Sequence, residues 1–199
     1  MNMKNGWNFV IVGVGGQGTL RASQVLGQLA MNEGLEVKVS EVHGMSQRGG
    51  SVITYVRIGQ DIHSPIVAQG EADFVLGFEL LEAARALPYL KEDGTVIVNE
   101  QKILPMPVIT GAMAYPENPL AWLEGHPIIA ADAQKIALEC GNIRTMNTVL
   151  LGMLSTMLPF SAESWEQVIG MCVPRKTLPA NIAAFERGRA IRTADAING

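Results

Sequence analysis

Apolar and polar positions follow two different periods along the first half of the chain. Short β-branched or aromatic runs predict strands at residues 7–12, 37–41, 51–58, 74–78 and 95–99. Between the first two runs, apolar residues recur every three or four positions from Thr19 to Glu33, which predicts a helix that Gly34 ends. Residues 7–41 therefore form a strand–helix–strand unit. A crossover of this kind predicts that its two strands are parallel neighbours.

The second half of the chain is predicted to be mainly helical. A helix is expected over residues 79–87, and two weaker strand candidates lie at residues 108–109 and 127–130. The chain then turns helical after Asp132. Residues 147–158 are apolar nearly all round, which is typical of a helix that is buried on most faces or lies at a subunit interface.

The starts of the last two helices complete the predicted order of strands and helices, from which the fold class follows. Ser161 is a predicted N-cap, and Pro179 is predicted in the first turn of the final helix. Strands that alternate with helices predict a three-layer α/β/α fold with a mostly parallel sheet, a glycine-rich turn after the first strand and a helical C-terminal tail. We expect a single domain over residues 1–199, with residues 140–199 as the tail packed on it.

The composition predicts that this chain binds a partner chain. Of the 199 residues, 48% are hydrophobic and only 17% are charged, whereas average proteins have about 25% charged residues. We therefore expect another chain to cover part of the surface. The net charge of −4 argues against a nucleic-acid partner. The longest apolar run, residues 149–158, is about half of a membrane span, so no membrane partner is expected.

The two cysteines limit the cofactors that this chain could bind. Cys140 and Cys172 are far apart in the sequence, which excludes a disulfide framework and a cysteine-ligated iron–sulfur cluster within this chain. The three histidines lack metal-ligand spacing, and no nucleophile elbow is present. The sequence thus predicts no metal site and no catalytic residue in this chain, and it suits the reducing cytoplasm.

A glycine-rich turn joins the first predicted strand to the first helix. Gly13, Gly15, Gly16, Gln17 and Gly18 belong to a G-x-G-x-x-G pattern in this position. Glycines let the backbone approach a ligand closely, and a helix N-terminus offers free N–H groups to a phosphate. The turn therefore predicts a phosphate-bearing ligand. Glu41, at the end of the second strand, also leaves an NAD site open, and a tight turn without a ligand is the simplest alternative.

A second polar loop joins the second and third predicted strands. Its candidate site residues are His43, Gly44, Ser46, Gln47, Arg48, Gly49 and Gly50. Loops at the carboxyl ends of parallel strands converge on one edge of a sheet, so this loop should lie beside the glycine-rich turn. Taken alone, His43 is more simply a loop histidine without a catalytic role. Arg48 could be a surface arginine, but its position between Gln47 and a glycine pair favours contact with a ligand or a partner.

The two loops carry a resemblance to a known family. The runs GVGGQGTLRASQVLG, VKVSEVHGMSQRGGSVITYVRIG and IHSPI resemble the β subunit of the indolepyruvate ferredoxin oxidoreductases. More broadly, they are similar to the γ subunit or γ domain of the 2-oxoacid:acceptor oxidoreductases, which include the pyruvate ferredoxin oxidoreductases. The HGMSQRGGSV block is the more specific of the motifs, and the later TMNTVLLG segment also looks like this family.

The resemblance implies a subunit of a thiamine diphosphate and iron–sulfur enzyme. Such enzymes convert a 2-oxoacid, here indolepyruvate or another arylpyruvate, and coenzyme A to acyl-CoA and CO2 while reducing ferredoxin. The resemblance places their thiamine diphosphate and clusters in a larger, cysteine-rich partner subunit. It further implies that this chain binds no cofactor stably alone, is inactive alone and completes the coenzyme A end of the active site. The glycine-rich turn and Arg48 map onto that end, and Arg144 and Asn147 are further candidates for the same cleft.

The remaining expectations concern partners and alternatives. Ferredoxin or a similar acceptor is an implied partner, and a homodimer is expected when the chain is isolated. A basic C-terminal group could dock an acidic ferredoxin, although a solvated helix face is the simpler explanation. That group consists of Arg175, Lys176, Arg187, Arg189 and Arg192. Two alternatives to the subunit hypothesis stay open: a stand-alone Rossmann-like NAD-binding protein, and a homodimeric structural module whose glycine-rich turn is empty.

Overall fold

A computed structural model describes residues 6–44 and 50–191 of the chain. The strands are β1 (Gly6–Val14), β2 (Glu36–His43), β3 (Ser51–Gly59), β4 (Ala72–Gly77), β5 (Leu90–Asn99) and β6 (Ile128–Ala131). The α-helices are α1 (Thr19–Asn32), α2 (Leu80–Ala86), α3 (Met106–Ile109), α4 (Ala133–Glu139), α5 (Met146–Ser155), α6 (Ala162–Cys172) and α7 (Leu178–Ala190).

The strands form one six-stranded mixed sheet in the order β2-β3-β1-β4-β5-β6. Strands β1, β4, β5 and β6 pair in parallel, whereas β3 is antiparallel to both of its neighbours. The prediction that the first two strands are neighbours is therefore wrong, because β3 lies between them. The short β2–β3 connection favours antiparallel pairing of those two strands. The other edge of β3 then pairs with β1, so β3 separates β1 from β2. Strand β2 still points the same way as β1, so their carboxyl ends share one edge.

Alternating side chains of the sheet build two apolar layers, which makes the predicted three-layer α/β fold. On one face, Phe9, Ile11 and Leu76 are buried against α1 and the C-terminal helices. On the other face, Val10 and Val75 are buried against α2. Successive residues of a strand point to opposite faces, so each continuous apolar run in the sequence serves both layers.

The C-terminal helices extend the first of these layers. All ten residues of α5 are buried, which confirms the prediction from its all-round apolar pattern. Helix α7 packs directly on α5 because both helices have a glycine at the contact: a Cβ on Gly152 would lie 2.3 Å from the Phe185 carbonyl oxygen. Trp165 of α6 is fully buried and lies 5.9 Å from the Phe185 ring, centroid to centroid.

Most predicted element boundaries hold, and one predicted strand does not. The candidate strand at residues 127–130 is confirmed as β6, and Ser161 caps α6 by accepting a hydrogen bond from the Ser164 amide at 3.1 Å. Residues 108–109 belong instead to the short helix α3, which has a proline in its first turn. Proline fixes φ near the helical value and lacks the N–H that a strand needs. No helix in the described part of the chain is long and apolar enough to cross a membrane.

Candidate functional site

The glycine-rich turn connects the end of β1 to the start of α1. Gly16 and Gly18 have φ values of +100° and +95°, a left-handed conformation that residues with a Cβ rarely adopt. A Cβ on Gly13 would lie 2.9 Å from the Phe78 Cβ, which is closer than real contacts allow. Gly18 is the N-cap of α1 and has no side chain to bond the first amides of the helix. These amides and the helix dipole are therefore available to an anion.

The side chain of Gln17 holds this turn from within. Its Oε1 accepts a hydrogen bond from the Val14 amide at 2.7 Å. Its Nε2 donates to the Phe78 carbonyl oxygen at 3.1 Å and to Gln101 Oε1 at 2.9 Å. Both N–H groups of the Gln17 amide are thus used inside the protein, where they bond the turn to the ends of β4 and β5. Gln17 also lines the cavity, and its role in binding the ligand stays a prediction.

A cavity of about 510 Å³ opens beside the glycine-rich turn. Its walls come from the start of α1, the segment that leads into α5 and the segment that leads into α7. The lining residues are Gly16, Gln17, Gly18, Arg21, Gln101, Gln134, Asn142, Ile143, Arg144, Thr145, Met146, Asn147, Val173, Pro174, Thr177 and Asn181. Among these described residues two are arginines and none is acidic. The cavity therefore favours an anionic ligand, since guanidinium groups and helix amides both attract phosphate.

Asn147 and Arg144, predicted as further site candidates, lie on the wall opposite the turn. Asn147 is only 5% exposed, and its Nδ2 lies 3.4 Å from the position that a Cβ on Gly18 would occupy. Its Oδ1 lies 3.3 Å from Thr148 Oγ1, the hydroxyl that donates to Asn181 Oδ1 at 2.7 Å. Within the described residues no acceptor bonds Asn147 Nδ2, so this amide faces the glycine-rich turn with its N–H groups available to a ligand.

Arg21 is a site residue that the sequence analysis missed. It lies in the first turn of α1, three positions after Gly18. This position directly after the glycine-rich turn could have identified it as a site candidate from the sequence. Its Nη1 donates to the carbonyl oxygen of Cys172, which places the guanidinium across the mouth of the cavity. Burial raises the pKa of the Cys172 thiol, and the charge of Arg21 opposes that shift only in part. The neutral thiol is therefore favoured at Cys172.

The second loop meets the glycine-rich turn, as the convergence of strand ends predicted. The Gly15 amide donates to the Gly50 carbonyl oxygen at 2.9 Å, and the Gly44 amide donates to the Ser51 carbonyl oxygen at 3.0 Å. Ser51 Oγ donates to Glu82 Oε2 at 2.5 Å, which fixes the start of β3. The predicted site residues Ser46, Gln47, Arg48 and Gly49 lie outside the described residues.

His43 lies at the same edge of the sheet but apart from the cavity. His43 pairs with Val52 of β3, and Val52 pairs in turn with Gly13 of β1. Two strand spacings of about 4.8 Å each therefore separate His43 from the turn. His43 Nε2 lies 2.8 Å from Glu41 Oε1. The histidine is not among the residues that line the cavity.

The position of Glu41 removes the NAD alternative. In a dinucleotide site, the acidic residue ends a strand that lies directly beside the glycine-rich turn. Here β3 lies between β2 and β1, and both oxygens of Glu41 are occupied, Oε1 by His43 and Oε2 by the Thr54 hydroxyl at 2.9 Å. The geometry therefore gives no support to ribose binding by this carboxylate.

The basic C-terminal group is not a single free patch. Arg187 pairs with Glu139 at 2.8 Å, and Arg189 donates to Ser155 Oγ at 2.8 Å. The Arg189 guanidinium also lies 5.6 Å from the centroid of the Phe185 ring. Arg192 lies outside the described residues. Two members of the group are thus bound within the chain, which argues against a single free patch for an acidic ferredoxin.

Comparisons with known proteins agree with the resemblance that the two loops carry. Residues 8–191 match the family model described as pyruvate ferredoxin/flavodoxin oxidoreductase. The chain is 47% identical over 189 residues to the indolepyruvate oxidoreductase subunit IorB of Thermococcus kodakarensis, covering 92% of this chain and 94% of that one. It is 33% identical over 147 residues to the common gamma subunit of the pyruvate/ketoisovalerate oxidoreductases of Pyrococcus abyssi, covering 70% and 71% of the two chains.

Solved structures share the fold. The pyruvate oxidoreductase subunit PORC of Thermotoga maritima superposes with a TM-score of 0.70 at 25% identity, covering 94% of this chain and 97% of that one. A 2-oxoglutarate:ferredoxin oxidoreductase of Magnetococcus marinus, solved with 2-oxoglutarate, coenzyme A and succinyl-CoA bound, gives a TM-score of 0.72 at 21% identity. That match covers 98% of this chain but only 32% of the other, so the same fold also occurs as one part of a larger chain.

Proposed function

The chain belongs to the pyruvate ferredoxin/flavodoxin oxidoreductase family, and we propose that it is the subunit that completes the coenzyme A end of an enzyme acting on indolepyruvate or a related arylpyruvate. Family membership makes it a subunit of a 2-oxoacid ferredoxin oxidoreductase. The choice of an aryl substrate is supported by the identity to subunits named for indolepyruvate, which is higher than the identity to the pyruvate/ketoisovalerate subunits.

The observation that carries the proposal is the cavity that two arginines and no acidic residue line, within the described part of the chain. Coenzyme A is strongly anionic, and a cavity of about 510 Å³ falls within the usual range for small-molecule sites. The amides at the start of α1 and the guanidinium groups of Arg21 and Arg144 suit its phosphates. Asn147 offers a further donor, which faces Gly18 across the cavity. In this proposal, the residues of the chain bind and orient coenzyme A so that its thiol reaches the acyl group held by the partner.

We propose that the larger partner subunit holds the thiamine diphosphate and the iron–sulfur clusters. A cysteine-ligated cluster takes four thiolates, whereas this chain has two cysteines, which lie on different helical segments and are both unpaired. The residues of this chain thus do not fit a cluster. We assign decarboxylation and electron transfer to ferredoxin, or to a similar acceptor, to the assembled enzyme. Free cysteines also suit the cytoplasmic location that we propose.

The organisation of the chain is part of the same proposal. We treat residues 1–199 as one domain of the γ type, with residues 140–199 as its helical tail. The tail supplies Arg144 and Asn147, so the cavity needs the tail as much as it needs the glycine-rich turn. We propose a homodimer for the isolated chain and a hetero-oligomer with the larger subunit in the active enzyme.

Reconstitution with the larger subunit tests the coenzyme A assignment. Arg144→Ala should raise the KM for coenzyme A about tenfold to a hundredfold, because a charge-assisted hydrogen bond is worth roughly 1.5–3 kcal/mol and each 1.4 kcal/mol is a factor of ten. Arg48→Ala tests the second loop with the same expected range. Reduction of the enzyme by the 2-oxoacid without coenzyme A should stay near the wild-type rate for both variants.

The matched control is Arg187→Ala, which removes an arginine that does not line the cavity and should leave the KM for coenzyme A unchanged. If the coenzyme A-independent half-reaction of Arg48→Ala or Arg144→Ala falls as far as the complete reaction, that residue supports subunit assembly or the thiamine centre. The coenzyme A assignment of that residue is then wrong. Arylpyruvate oxidation by this chain without a partner would overturn the subunit proposal.

A further inference from the structure

Three amide side chains form a row beside the cavity, at the carboxyl ends of β1 and β5. Gln17 Nε2 donates to Gln101 Oε1 at 2.9 Å, and Asn99 Nδ2 reaches the same oxygen at 3.4 Å. Gln17 and Asn99 both donate to the Phe78 carbonyl oxygen, at 3.1 and 3.0 Å. We call this row of Gln17, Gln101 and Asn99 the amide ladder.

The amide ladder also reaches the opposite wall of the cavity. Asn99 is fully buried, and its Oδ1 accepts a hydrogen bond from the Ala133 amide at 3.0 Å, at the first residue of α4. Its Nδ2 lies 3.2 Å from the sulfur of Met146, the first residue of α5. Asn147 follows directly on this helix. The ladder thus joins the glycine-rich turn to the helix that carries the facing donor.

The turn itself depends on the ladder for its shape. The Val14 amide donates to Gln17 Oε1 at 2.7 Å, and two glycines of the turn have left-handed φ values. A short glycine-rich segment has many accessible conformations when it is free, so fixing it costs entropy. Hydrogen bonds made before the ligand arrives remove that cost from the binding step.

We propose that Gln17 and Gln101 are positioning residues, which act through the amide ladder to hold the two walls of the cavity at a fixed separation before coenzyme A binds. The inference rests on the proposed function for the identity of the ligand, but the ladder itself is a property of the free subunit. Gln17 acts on binding through the turn rather than through direct contact with the phosphates, because its Oε1 and Nε2 are engaged with Val14, Phe78 and Gln101. Gln101 acts through the hydrogen bond that its Oε1 accepts from Gln17.

The test replaces a ladder amide with an uncharged side chain of the same length. Gln17→Met removes its hydrogen bonds without adding charge to the anion cavity, and Gln101→Met does the same from the other side. Gln28→Met is the matched control, because Gln28 lies on α1 and bonds only Asn32 among the described residues. Two measurements are needed: amide hydrogen exchange at Val14 and Gly15 in the free subunit, and the KM for coenzyme A in the reconstituted enzyme.

We expect Gln17→Met to speed exchange at Val14 at least tenfold and to raise the KM for coenzyme A about tenfold, with an unchanged coenzyme A-independent half-reaction. Gln101→Met should do the same to a smaller extent, and Gln28→Met should change neither quantity. Faster exchange with an unchanged KM, in an enzyme where Arg144→Ala does raise the KM, would overturn the positioning role and leave the proposed function intact. Unchanged exchange in Gln17→Met would overturn the ladder itself. An unchanged KM in both Gln17→Met and Arg144→Ala would overturn the proposed function.

Discussion

The two walls of the cavity come from parts of the chain that differ in how they obtain their shape. The glycine-rich turn is a contiguous motif whose backbone amides and left-handed glycines are set within six residues. The facing wall begins more than a hundred residues later, and its donors, Arg144 and Asn147, are ordinary polar residues at the head of an apolar helix. The first wall provides amides that any anion could use. Arg21 of α1 adds one guanidinium to that wall, and the second wall provides the guanidinium of Arg144 and the amide donor of Asn147.

The largest effect should come from reversing the chemistry of the facing wall. Asn147→Asp keeps the shape of the side chain but replaces the free Nδ2 donor with a carboxylate oxygen that faces the turn. We expect the KM for coenzyme A to rise at least a hundredfold, since the variant loses a donor and adds repulsion in a partly desolvated site. Steady-state kinetics of the reconstituted enzyme measures this change.

Asn147→Ala separates the two contributions, because it removes the donor without adding charge, and it should raise the KM only about tenfold. Asn32→Asp, at the exposed end of α1, is the control for an added carboxylate. If Asn147→Asp and Asn147→Ala had equal effects, repulsion in the cavity would be negligible, and the cavity would not be selective for anions.

The next effect concerns the glycine-rich turn and is measured as stability. Gly13→Ala places a Cβ 2.8 Å from Gln17 Oε1 and 2.9 Å from the Phe78 Cβ, so it should lower the free energy of unfolding by about 2–3 kcal/mol. A Cβ on Gly16 would have no atom within 4 Å, so Gly16→Ala has only the cost of a left-handed φ. This variant should lower the free energy of unfolding by about 1–2 kcal/mol. Urea denaturation of the isolated subunit compares the two. A larger loss in Gly16→Ala would show that backbone strain, and not the close contact at Gly13, limits this wall.

The smallest effect is a pH dependence at the edge of the cavity. Burial raises the pKa of the Cys172 thiol, with partial opposition from Arg21. The raised pKa favours the neutral thiol in the folded state, so its contribution to stability is complete below the pKa of the unfolded thiol and is lost as the pH rises through that of the folded one. In a Cys140→Ser background, the rate of alkylation by iodoacetamide should therefore rise at a higher pH in the folded protein than in urea.

Arg21→Ala sharpens that measurement, because it removes the opposing charge and should move the alkylation midpoint further upward. A midpoint in the folded protein at or below the value in urea would show that the guanidinium, and not burial, dominates the environment of Cys172. The cavity mouth would then be more positive than its described contacts indicate.

Much of the fold could be read from the sequence because it depends on local patterns. The apolar runs gave the strands, Gly34 and Ser161 gave helix ends, and the all-round apolar run gave a fully buried α5. The order of the strands could not be read, since the period of apolar residues is the same whichever neighbour a strand has. The antiparallel β3 was therefore missed as the strand between β1 and β2.

The candidate site also has one part that the sequence predicted and another that it did not. The glycine-rich turn was visible because its conformation needs particular residues at particular positions, and glycine alone tolerates them. The sequence could not assign Gln17 to the amide ladder or Arg21 to the cavity mouth. Those roles depend on Phe78, Gln101 and Cys172, which are distant in the chain.

The sequence by itself thus determined the elements, the glycine-rich turn and the family to which the chain belongs. Only the tertiary structure decided that Asn147 faces Gly18 and that Glu41 lies one strand away from β1. The physical reason is that backbone conformation and burial period are local properties of a segment. The position of one wall against another is set by packing and hydrogen bonds between segments that the sequence keeps apart.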